Sequence, residues 1–70
     1  MRQGEFWPRV RAAIWRMAEI LWLQDHASAG RIPATRPERS ELREYFDEAK
    51  KIVLRRLHEE GEVVLDELGV

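Results

Sequence analysis

The sequence predicts an all-α fold: an antiparallel helical hairpin, one domain over residues 1–70, that dimerises into a four-helix bundle. Three observations carry this expectation. Two segments repeat apolar residues at helical spacings, one loop bearing glycine and proline separates them, and the first segment holds more apolar surface than one neighbouring helix covers. With residues about 100° apart, the apolar side chains of that segment sweep from Ile20 through Met17, Ile14 and Trp7 to Trp22 and Trp15, an arc of roughly 220°. A helix packed against one neighbour needs an apolar stripe a little over 100° wide. The remainder calls for a further surface, most simply a second copy of the chain.

Helix 1 is expected over residues 6–28. Trp7, Val10, Ile14, Met17 and Leu21 follow spacings of three and four, and Pro8 suits a first helical turn, where its missing N–H has no partner to lose. The pattern fades at Gln24, and Ala27-Ser28-Ala29-Gly30 supplies a stop. Residues 29–37 hold Gly30, Pro33 and Pro37, with Ile32 as the one side chain suited to packing. That is a loop, and its arginines are expected in solvent.

Helix 2 is expected over residues 38–60, capped by Thr35 or Ser40. Its stripe runs Leu42, Phe46, Ala49, Val53 and Leu57, and Arg43–Asp47, Asp47–Lys51, Arg55–Glu59 and Arg56–Glu60 are spaced for surface ion pairs. Gly61 leaves two alternatives, a helical extension through it or a short third helix over 62–68. The extension is favoured here, with Gly69 as its cap. Helix 2 would then reach roughly 45 Å against about 35 Å for helix 1. Val64, Leu65 and Leu68 would overshoot the hairpin and need cover from another chain.

Composition narrows the functional classes. A domain of this size buries only about 60% of the surface its unfolded chain exposes. Cysteine is absent, which removes disulfides and thiolate metal sites. Residues 1–40 carry seven arginines against four acids, while residues 41–70 carry nine acids against five bases, so the two arms of a hairpin attract each other. No apolar run approaches the roughly 20 residues of a membrane span. The N-terminus shows no signal-peptide pattern, so a cytoplasmic location is expected.

The expected site is a tryptophan edge on helix 1: Trp7, Arg11, Trp15 and Trp22, serving as a dimer seam or a docking surface for another protein. Arg11, one turn from two indoles, is placed to lie over a ring face. An alternative site is a phosphate-binding group of Arg9, Arg16, Arg31, Arg36 and Arg39, with Arg2 nearby. Against it stand a sequence pI near 6.1 and the polar-face positions of Arg9 and Arg16, where charge is expected without a ligand. Metal and cofactor sites are not expected: Glu44, Glu48 and His58 fall on the polar face of helix 2, and His26 lies at the other end of the hairpin from His58. Arg56, at the rim of the apolar arc, is expected to pair with Glu60. Neither serine lies in a nucleophile-elbow motif, and no catalytic group is expected.

The expected function is therefore a small non-enzymatic adaptor or regulatory protein working through protein–protein binding and homo-oligomerisation. The alternative is a nucleic-acid-binding accessory protein using the arginines of helix 1 and the loop. A membrane surface is not an expected partner, because Leu42, Phe46, Val53 and Leu57 require helix 1 for cover.

Overall fold

A computed structural model describes residues 3–31 and 35–70 of the chain. Among them run three helices, α1 (Gln3–Ser28), α2 (Arg39–Glu60) and α3 (Val63–Glu67), with no strand. The two long helices pack against each other as a hairpin, and α3 packs on both. No described helix is long and apolar enough to cross a membrane. The expectations for Arg2, Ile32 and Pro33 lie outside the described residues.

α1 begins three residues earlier than its periodicity indicates, so Pro8 sits inside the helix and not in its first turn. A proline there removes one hydrogen bond and crowds the carbonyl four residues back. That carbonyl belongs to Gly4, which is exposed and has nothing within 4 Å of a would-be Cβ, so water can serve it. The exit is a Schellman turn: Arg31 N donates to His26 O at 2.8 Å and Gly30 N to Ala27 O at 3.0 Å, with Gly30 at φ 76.

α2 starts from Glu38, whose backbone is extended and whose side chain makes no capping bond. Neither Thr35 nor Ser40 is the cap, because Pro37 stays outside the helix and Ser40 lies within it. Of the four surface pairs expected along α2, only Arg56–Glu60 closes among the described residues, at 2.9 Å.

Gly61 corrects the sequence reading most sharply. Its φ of 79 and ψ of −162 fall in a region essentially reserved for glycine, so a helix cannot run through it. The chain turns instead, and α3 folds back onto the hairpin. Val64 and Leu65 are wholly buried and Leu68 is 8% exposed, all covered by their own chain. They do not overshoot, and no second chain is required to cover them.

The core joins Val10, Ala13, Ile14, Met17, Ala18 and Trp22 of α1 to Leu42, Ala49 and Val53 of α2 and to the three α3-end residues. The wide apolar arc of α1 is thus largely accounted for by two helices of one chain. Arg9, expected in solvent on the polar face, fastens the arrangement. Its Nη2 donates to Asp66 Oδ1 at 2.9 Å and to Val70 O at 2.8 Å, and its Nε donates to Val70 O at 3.1 Å. On the far side Arg56 binds Glu67 of α3 as well as Glu60. Burying a large aliphatic side chain contributes about 1.5–3 kcal/mol, whereas an exposed ion pair contributes roughly 0–1 kcal/mol. Burial of Val64 and Leu65 therefore holds α3 down, and the arginines set where it lands.

Candidate interaction surface

The four residues of the tryptophan edge do not share one surface. Trp22 is 8% exposed and belongs to the core. Its indole lies 4.2 Å from the His26 ring, and His26 Nδ1 sits 2.9 Å from Trp22 O. Trp15 is half-buried, with its ring tilted on Phe46 at 4.8 Å. The cation over Trp15 is Arg39, at 4.7 Å, and not Arg11. Only Trp7 and Arg11 stand in the open, Trp7 at 65% exposure with Phe6 edge-on at 5.0 Å. A tryptophan seven residues after Trp15 keeps the helical face but meets a different neighbour, and that neighbour here is the core.

The arginine group also divides. Arg9 is engaged with α3, and Arg31 is exposed at the α1 exit. Arg16, Arg36 and Arg39 converge. They line an open cleft of about 390 Å³ together with Trp15, Glu19 and the end of the chain beyond α3. Beside it lies a second cleft of about 380 Å³, lined by Ile20, Trp22, Leu23 and Pro37 and sharing Arg16, Glu19 and Arg36 with the first. Glu19 forms the divide. Its carboxylate accepts from Arg36 Nη2 at 2.8 Å and lies 3.5 Å from Arg16 Nη1. The three arginines expected in solvent are all exposed, and two of them also reach α1: Arg36 meets a carboxylate and Arg39 an indole.

Comparison with protein-family models, curated proteins and solved structures finds no match to this chain. The surface must be read from its own chemistry.

Elsewhere, the Tyr45 hydroxyl donates to Asp25 Oδ2 at 2.6 Å, tying α2 to α1. That hydrogen bond, with partial desolvation and the Asp25 charge behind it, pushes the phenol up to about 12. Arg56 keeps its expected place at the rim, its charge favoured first by Glu60 and then opposed by desolvation. Among the described residues no three histidine, aspartate or glutamate side chains converge as a metal site would need. The sequence offered no signal for the meeting of Arg39 with Trp15, since 24 residues separate them and only the tertiary fold brings them together.

Proposed function

We propose that this protein is a non-enzymatic adaptor or regulatory protein that works by docking another protein, a second copy of itself included. The observation that carries the reading is Trp7. Its indole is 65% exposed, whereas Trp22 lies in the core and Trp15 is half-buried, so it is the tryptophan that a partner can reach. Tryptophan and arginine are the residues enriched where binding energy concentrates, and Arg11 lies one turn away on α1. Leu23, Val63 and Leu54 are further exposed aliphatics, at 51%, 49% and 39%. With Val64, Leu65 and Leu68 covered internally, dimerisation into a four-helix bundle would draw, among the described residues, on these exposed side chains and on the partly buried ones beside them.

Trp7→Ala tests the reading, because that position lies outside the buried core. Dichroism and the melting temperature should stay at wild-type values. Association, read by sedimentation velocity for the self-complex and by affinity capture for a foreign partner, should weaken at least about tenfold, as loss of a binding anchor does. Association unchanged in the variant, or none in the wild type, contradicts the proposal.

A second reading, nucleic-acid binding, is favoured by the convergence of Arg16, Arg36 and Arg39 on one cleft. It requires binding to an oligonucleotide that falls steeply as salt rises.

A further inference from the structure

We infer that the twin clefts beside Glu19 receive a peptide segment of a partner protein in which acidic residues flank an aliphatic or aromatic one. The inference rests on the protein-docking reading above and names the partner's chemistry. Its starting point is a carboxylate already in place. Glu19, with its side chain 24% exposed, is held by Arg36 at 2.8 Å and approached by Arg16 at 3.5 Å, so the site displays the geometry by which it takes a carboxylate. Three guanidinium groups line the basic cleft, against Glu19 as its one acidic side chain. Arg36 is 80% exposed, so its guanidinium can exchange Glu19 for an incoming acid.

The adjoining cleft supplies the other half of the specificity. Ile20, Leu23 and Pro37 line it, and Leu23 is 51% exposed at its edge. A peptide lying across the divide would place an apolar side chain among them and carboxylates at Arg16, Arg36 and Arg39. Trp15 already has Arg39 over its ring and Phe46 tilted against it, which disfavours a stacked nucleobase there. Displacement of Glu19 from Arg36 makes the internal carboxylate a competitor of the incoming one.

The probe is a phage-displayed library of random dodecapeptides, selected on the full 70-residue chain, with the winning peptide measured by fluorescence anisotropy. Selected sequences should be enriched in aspartate and glutamate around a leucine, isoleucine or phenylalanine. Arg36→Glu should weaken that peptide about tenfold, and Glu19→Gln, which removes the competitor, should tighten it severalfold. Arg16→Glu serves as a second reversal should Arg36→Glu disturb the fold by dichroism. Failure to enrich such peptides overturns the inference, as does binding indifferent to both Arg36→Glu and Glu19→Gln. So does tighter binding of an oligothymidylate through the same arginines, which points to nucleic acid. Self-association abolished by Arg36→Glu would fill the clefts with a second copy and overturn it too. If Trp7→Ala still removes partner binding while no acidic peptide is selected, this inference alone falls.

Discussion

Shortening Leu65 to alanine examines whether α3 is part of the core or a loose end. The side chain is fully buried and sits in a five-residue helix that can hardly stand alone. Leucine-to-alanine changes in protein cores cost about 2–5 kcal/mol, the spread reflecting how far the site collapses. A short helix near a chain end can relax, so the lower part of that range applies, about 2–3 kcal/mol. Total stability for a domain of this size is on the order of 3.5–10 kcal/mol. The substitution thus removes a large share. At roughly 4–8 °C per kcal/mol the melting temperature should fall by about 10–20 °C. Thermal and urea melts followed by far-ultraviolet dichroism measure it, with Val63→Ala as the control, because Val63 is 49% exposed. The control should stay within about 0.5 kcal/mol of wild type. A Leu65→Ala loss equally small would refute the packing of α3 on the hairpin.

Three further outcomes follow from the same contacts. Arg9→Ala should cost about 1 kcal/mol, the scale of a partly exposed charged network, and should speed amide exchange in α3 more than in the middle of α2. Gly61→Ala places a side chain at φ 79 and ψ −162, where nothing crowds it but the backbone disfavours it, so urea melts should show a loss of about 1–3 kcal/mol. Tyr45 has a folded-state phenol raised from 10.0 to about 12, so its contribution is complete below pH 10 and is lost as pH rises toward 12. The stability difference between wild type and Tyr45→Phe should therefore shrink across that window, and a gap that widens there would contradict the Tyr45–Asp25 bond.

Much of the fold is legible in the residues. Alternating spacings of three and four placed both long helices and most of the core positions, because burial on one face is what that period encodes. Gly30 and Gly69 were legible as stops, since each follows the last periodic residue. Gly61 was not, because glycine in a periodic segment reads equally as a tolerated interior residue or as a turn, and only its backbone angles separate the two. That single ambiguity propagated: an extended α2 strands Val64 and Leu65, while a turn at Gly61 buries them. The wide arc of α1 calls for a surface beyond one neighbouring helix, and α3 of the same chain supplies part of it. Arg9 shows the same effect in charge, a polar-face arginine by period that becomes a clasp once α3 returns to meet it. Of the candidate site, Trp7 and Arg11 remain open, Trp22 lies in the core, Trp15 meets Phe46 and Arg39 from far along the chain, and Arg16, Arg36 and Arg39 converge from α1, the loop and α2, a meeting that no local period encodes.

The most direct test of the account is site-specific photo-crosslinking in the cells that make the protein. A photoreactive phenylalanine replaces Trp7, and a matched control replaces Lys51, an exposed residue of α2. Illumination should give a discrete protein adduct from position 7, at twice the chain mass for self-association or at another mass for a foreign partner, and none from position 51. No adduct from position 7, or the same adducts from both positions, would contradict the claim that the exposed Trp7 surface is where this protein binds.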